Sequence, residues 1–271
     1  MKATAILASV LAIGLAWSTA GATVVYTNTF SSAADYVTTA GPGQNWSGTS
    51  NLSWSNTAGV GGTNGKLSVG SSGSYVNSLA GTYQMAAVGD WIEVSVMVLG
   101  RGLSSTSRDT ALVTLSGDSS YVYGSASGQY SVMARVGTDS SATEESLQFR
   151  LYAGTASPTT VTSANFSLLT ADVWYKLTMK VTRNADNTLN YVTSIQNYGS
   201  NGQTPGSVVS SLSGTTAVTS LSTDSTISAG MGARKGNANG LDNFQVSVVP
   251  EPATAALVAL GGGLALLRRR H

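Results

Sequence analysis

The chain has no cysteine, one histidine and few charges. Without cysteine there is no disulfide to staple the fold and no thiolate for nucleophilic or metal chemistry. The histidine is His271, the last residue, and it would leave with any processed C-terminal segment. A body without it has neither a histidine-based nucleophile triad nor a His-ligated zinc site. Charged residues make up 10% of the chain, and no stretch rich in charge or proline divides it. Of the five prolines, two fall close together at Pro250 and Pro252. No apolar run reaches the roughly 20 residues that a membrane-spanning helix ordinarily needs. What is abundant is glycine, at 31 residues, together with serine and threonine. This is the composition of an all-β chain with many turns and hydroxyl-rich strand faces.

The two ends differ from the body. Met1-Lys2 is followed by an apolar run from Ala5 to Trp17 and then by small residues, with Ala20-Gly21-Ala22 fitting the small-x-small pattern of a signal peptidase site. Residues 1–22 are therefore expected to be a cleaved signal peptide, with Ala20 and Ala22 at the cleavage site. At the other end, Val249-Pro250-Glu251-Pro252 interrupts the preceding strand pattern, because proline fixes φ and offers no amide donor. Ala253 to Leu267 is uncharged and apolar, and Arg268-Arg269-Arg270 closes it with a basic block that the positive-inside rule keeps in the cytoplasm. A segment this short spans a bilayer only by local thinning and arginine snorkelling, which suits a temporary stop-transfer element.

This order of parts resembles the PEP-CTERM sorting signal. The resemblance implies recognition by exosortase, a membrane transpeptidase, with cleavage near Pro250-Glu251-Pro252, and it makes residues 249–271 processing determinants rather than a catalytic site. The expected organisation is a signal peptide at 1–22, a β-sandwich domain at 23–248 and the sorting signal at 249–271. Removing Lys2 and the three tail arginines leaves 10 basic residues, and removing Glu251 leaves 12 acidic ones, so the body is about −2. With no basic cluster in it, nucleic acid is not an expected partner.

Within the body, apolar and polar residues alternate. Ile92, Val94, Val96 and Val98 share one face of a strand opened by Trp91, and Tyr175, Leu177, Met179 and Val181 share one face of a strand opened by Trp174. Leu189 to Ile195 pairs with the latter through a turn at Arg183-Asn184-Ala185-Asp186-Asn187, rich in residues that tolerate a left-handed backbone. Further strands are expected at Val24 to Phe30, Lys66 to Val69, Ala111 to Leu115, Tyr130 to Val136, Leu147 to Tyr152, Ile227 to Ala233 and Leu241 to Val248. Strands with one apolar face each close most economically as two packed sheets. The Trp174 hairpin and the closing strand Gly240-Leu241-Asp242-Asn243-Phe244-Gln245-Val246 look like the concanavalin A-like (laminin-G-like) family. That resemblance implies a two-sheet antiparallel jelly-roll sandwich, flanked here by an N-terminal signal helix and a C-terminal hydrophobic helix, in a family whose members often bind sugars and sometimes hydrolyse them.

Carboxylate chemistry is the catalytic route left open. Two acids on one strand face the same side only at even spacing. Asp90 and Glu93 are three apart, while Glu144 and Glu145 are adjacent and fall in a polar stretch, 139–145, that reads as a loop. No enzyme is expected. Asp242-Asn243 is a candidate to offer oxygens to calcium, as are Asp118 and Asp186, each against the simpler role of bonding its own turn; no other cofactor is expected. Trp46, Trp54, Tyr121 and Tyr123 lie in Gly/Ser/Asn-rich surroundings and are candidate glycan contacts, whereas Trp91 and Trp174 are expected in the core. The leading expectation is an exported, exosortase-processed surface or extracellular-matrix protein, transiently anchored in the inner membrane, whose non-catalytic sandwich associates with extracellular polysaccharide. The alternatives are a glycoside hydrolase or lyase on the same fold and a purely structural envelope protein.

Overall fold

The structure is a computed structural model that describes residues 22–35, 52–62, 64–69, 74–75, 83–100, 110–117, 130–137, 144–154, 158–217, 219–223, 226–233 and 240–249. The strands among them are β1 (Thr23–Asn28), β2 (Leu52–Ala58), β3 (Asn64–Val69), β4 (Ser74–Tyr75), β5 (Trp91–Leu99), β6 (Ala111–Ser116), β7 (Tyr130–Gly137), β8 (Glu144–Ala153), β9 (Thr159–Ser167), β10 (Trp174–Arg183), β11 (Leu189–Asn197), β12 (Val208–Thr216), β13 (Ser228–Ala233) and β14 (Gly240–Val248). A single short helix, α1 (Thr219–Thr223), joins them. The larger sheet runs β12-β11-β10-β5-β14-β3-β2, with β1 also paired to β14, and the smaller runs β4-β13-β6-β7-β8-β9. Every ladder is antiparallel.

Alternation decides which side chains meet. On the larger sheet, Ile92, Val94, Val96, Val98, Leu177, Met179 and Val181 all lie in one buried cluster. Across from them, the smaller sheet contributes Val113, Leu115, Val132, Ala134, Leu147, Phe149 and Met231 to the same cluster. Burying each large aliphatic or aromatic side chain contributes roughly 1.5–3 kcal/mol before entropy is counted. The two sheets also touch through a ring pair: Phe149 of β8 stacks on Tyr191 of β11 with centroids 3.7 Å apart. The β10–β11 hairpin forms as expected, in register from Tyr175 opposite Asn197 to Arg183 opposite Leu189. Its turn is closed by the Asn184 amide on Thr188 O at 2.9 Å, with Asn187 in the left-handed region at φ 61°.

Trp91 and Trp174 require correction. Each precedes an inward residue, Ile92 or Tyr175, so the same alternation turns both indoles to the outer face of the larger sheet. Trp174 is nonetheless buried there, against Met97 and Leu99, with Val60 and Tyr198 packed around them. Trp91 is half-buried with the Lys180 ammonium 4.0 Å from its ring centroid. A second apolar layer thus exists outside the sandwich.

The expected signal helix, Ala20, and the sorting residues Pro250, Glu251, Pro252, Arg268, Arg269 and Arg270 lie outside the described residues. Ala22 is exposed just ahead of β1, and the Val249 amide reaches Trp91 O at 3.3 Å just past β14. No helix among the described residues is long and apolar enough to cross a membrane.

Candidate functional site

The outer layer on the larger sheet has an edge, and a cleft opens there. Residues 198–207 loop back over the sheet: the Trp174 amide donates to Gly199 O at 2.9 Å, and the Asn197 amide to Ser207 O at 3.0 Å. Gly202 sits on the indole with φ 70°, and a Cβ at that position would come within 2.9 Å of Trp174 Cγ, so both the space and the conformation demand glycine. The loop meets the turn at residues 59–62 through the Gly61 amide and Asn201 O, 2.6 Å apart. Between this loop, that turn, the end of β1 and the start of β14 lies a cleft of about 450 Å³, lined by Thr29, Ser31, Val60, Gly202, Gln203, Asp242 and Asn243.

Two local distortions aim groups into it. In β14 the register with β5 shifts between Asp242 and Gln245, and Asn243 takes φ 45°. This bulge keeps Leu241 and Phe244 in the core while Asp242 and Asn243 line the cleft. At the end of β1, Phe30 is also left-handed, at φ 45°. Its amide donates to Asn28 Oδ1 at 2.9 Å and its carbonyl accepts Trp54 Nε1–H at 2.8 Å, so Thr29 and Ser31 are fixed on either side.

Asp242 is 2% exposed. Its Oδ2 accepts the Val60 amide at 2.8 Å and its Oδ1 accepts the Asn243 amide at 2.7 Å. Burial nevertheless dominates and pushes its pKa up to about 6, against the smaller lowering effects of those amides and of Lys66. Gly59 must lack a side chain, because a Cβ there would run into Asp242 Oδ2. Among the described residues no three His, Cys, Asp or Glu side chains converge as a metal cage. At a calcium ion, Asp242 would therefore supply the carboxylate, and carbonyl or amide oxygens the rest.

The other sequence candidates fare differently. Trp54 is half-buried against the core and serves as a latch on Phe30 rather than as an open stacking platform. Trp46, Tyr121, Tyr123 and Asp118 lie outside the described residues. Asp186 bonds its own turn: Oδ1 accepts the Thr188 amide and hydroxyl at 3.1 and 2.7 Å, which holds its pKa below the usual carboxylate range. Asp90 Oδ2 accepts the Ala87 amide at 2.7 Å, closing a turn, while Glu93 stands opposite Lys180 on β10. Glu144 and Glu145 are not in a loop; they begin β8. Glu145 is buried, accepting Thr110 Oγ1–H at 2.5 Å and the Leu169 amide at 2.9 Å, and burial raises its pKa. Glu144 is exposed and accepts Asn165 Nδ2 at 3.3 Å. Val60, Gln203, Thr29 and Ser31 had no sequence signal, since the cleft joins segments as far apart as 182 positions.

Fold and cleft together define an all-β, two-sheet antiparallel sandwich of the lectin-like type with a polar groove on the outside of its larger sheet. No protein-family model matches the chain, and no curated protein matches it either. Among solved structures, the T. cruzi calreticulin globular domain is similar at 9% identity and a TM-score of 0.51, covering 90% of this chain and 95% of that one. Lectin II from Ulex europaeus is similar at 12% identity and a TM-score of 0.49, over 84% of this chain and 100% of that one. The endo-1,3-beta-glucanase from Streptomyces sioyaensis gives 9% and 0.46, over 86% and 98%. At identities this low the likeness is one of fold alone.

Proposed function

We propose that the chain is an exported surface or extracellular-matrix protein, processed by exosortase, whose non-catalytic sandwich associates with extracellular polysaccharide through the cleft over β14. The observation that carries the reading is the lining of that cleft. Hydroxyls from Thr29 and Ser31, amides from Gln203 and Asn243 and the Asp242 carboxylate surround one opening. Its volume of about 450 Å³ is within the range of roughly 300–1,000 Å³ for small-ligand sites. Such a set matches a polyhydroxylated ligand, because every group can exchange hydrogen bonds with sugar hydroxyls. The non-catalytic part of the reading is supported by the same lining, in which Asp242 is the one carboxylate. Hydrolysis by paired carboxylates needs a second, about 5–9.5 Å away. Export and processing rest on the terminal sequence patterns.

Affinity electrophoresis of the full chain through gels containing neutral glycans tests the binding. Retardation that is lost in Gln203→Ala is the expected result. Reducing ends that accumulate with the wild type and vanish with Asp242→Asn would replace this reading by a hydrolase. For processing, mass spectrometry of the exported protein should show a C-terminus near residue 250, and Pro250→Ala with Pro252→Ala should leave the tail attached.

A further inference from the structure

The outer face of the smaller sheet carries a second arrangement, far in character from the cleft. Leu112, Met133 and Tyr152, on β6, β7 and β8, pack together there as a buried cluster separate from the sandwich core. Beside them runs a polar row. Arg135 on β7 stands opposite Gln148 on β8, and Arg150 follows two residues along the same face. Arg135 Nη1 donates to Gln148 Oε1 at 2.9 Å, and Arg150 Nε donates to the same oxygen at 2.7 Å. The amide is held by its other end, since Gln148 Nε2 donates to Ser146 Oγ at 2.9 Å and the Ser146 hydroxyl donates to Gly137 O at 3.2 Å.

Two guanidinium groups therefore converge on one neutral oxygen. Like charges brought this close repel, and an anion between or beside them relieves the repulsion. The nearest acids on β8 are directed elsewhere: Glu145 bonds Thr110 and Leu169, and Glu144 bonds Asn165. Arg150 is partly exposed, unlike Arg135 and Gln148. With Nε spent on Gln148, its two terminal nitrogens form the planar fork that suits a carboxylate or sulfate. Gln148 works as the positioning residue that holds the fork in place.

We infer that the Arg135–Gln148–Arg150 row is a contact for an acidic polysaccharide, one bearing uronate carboxylates or sulfate esters, with Arg150 meeting the anion. This rests on the reading that the domain associates with polysaccharide, but it uses the opposite sheet and a different chemistry from the cleft. It also gives a mildly acidic body a local point of attraction for a polyanion that its net charge would repel.

The test is affinity electrophoresis of the full chain in gels cast with a polyuronate, a sulfated dextran or unmodified dextran, at low and at raised salt. Retardation by one or both acidic polymers is expected, weakening with salt; which of the two acts identifies the anion. Arg150→Gln should weaken that retardation about tenfold and Arg150→Lys should keep part of it, while Gln203→Ala leaves it unchanged. Thermal melts of each variant show that the fold persists, and the lysine variant keeps the charge if the glutamine variant does not fold. Acidic-polymer binding that is indifferent to Arg150→Gln, or absent at low salt, overturns the inference. Dextran retardation abolished by Gln203→Ala, with no Arg150-dependent step, would leave the cleft reading standing and remove this one. Arg150-dependent retention without any neutral-glycan binding would do the reverse.

Discussion

On the outside of the larger sheet, Met97, Leu99 and Trp174 are withdrawn from water by the 198–207 loop, which lies across them on backbone hydrogen bonds and a glycine pressed to the indole. On the outside of the smaller sheet, Leu112, Met133 and Tyr152 are equally buried but share their face with Arg135, Gln148 and Ser146, each 4% exposed or less. The first layer is held by shape, the second in good part by a hydrogen-bonded chain. A layer held by shape loses stability in proportion to the volume removed. A polar chain loses it when one partner is deleted and the other is left buried without an acceptor.

Trp174→Ala should separate the two layers most sharply. Emptying the indole site should cost about 3–5 kcal/mol in chemical denaturation and should release the 198–207 loop to proteolysis, leaving the Arg135 row intact. Next in size is the pH response at the rim of the cleft. Asp242 has a folded pKa of about 6 against an unfolded value near 3.9, so between these values the folded state holds more protons than the unfolded one. Stability from this group is therefore greatest below about pH 4 and is lost as pH rises through 6, by about 3 kcal/mol in total. Asp242→Asn should flatten that part of the stability–pH curve relative to wild type, whatever its effect at a single pH. The smallest expected effect is on the other sheet. Gln148→Leu takes away the oxygen that serves both arginines and should cost about 2 kcal/mol in thermal or urea unfolding, without loosening the 198–207 loop.

Strands were legible in the sequence where both of their edges are paired, and hidden where one is not. Val94 to Val98 and Leu177 to Val181 sit mid-sheet and bury one face against the opposite sheet, so they must alternate. The strands that sequence patterning did not show are β2, β4, β9 and β12, the end strands of the two sheets. Ser210-Ser211-Leu212-Ser213 of β12 and Thr159-Thr160-Val161-Thr162 of β9 are largely exposed, and a polar edge has no apolar period to detect. Trp174 misled for a related reason: an indole at a strand start suggests the core, yet its parity with Tyr175 assigns it to the outer face. Asp242 was visible because it stands in a recognisable closing strand, whereas Gln203 and Val60 meet it only through tertiary folding. Glu145 looked like loop because its burial depends on Thr110 and Leu169, which no local pattern links to it.

The position of β14 has a mechanical consequence. It is bonded along one side to β5 and along the other to β1, with Val248 opposite both Ile92 and Thr23. Tension entering the domain at Val249 therefore runs along the strand and loads both ladders lengthwise, so that many hydrogen bonds must fail together. An edge strand such as β12 would peel one bond at a time. The sandwich offers its most tear-resistant strand at the point where the chain leaves it.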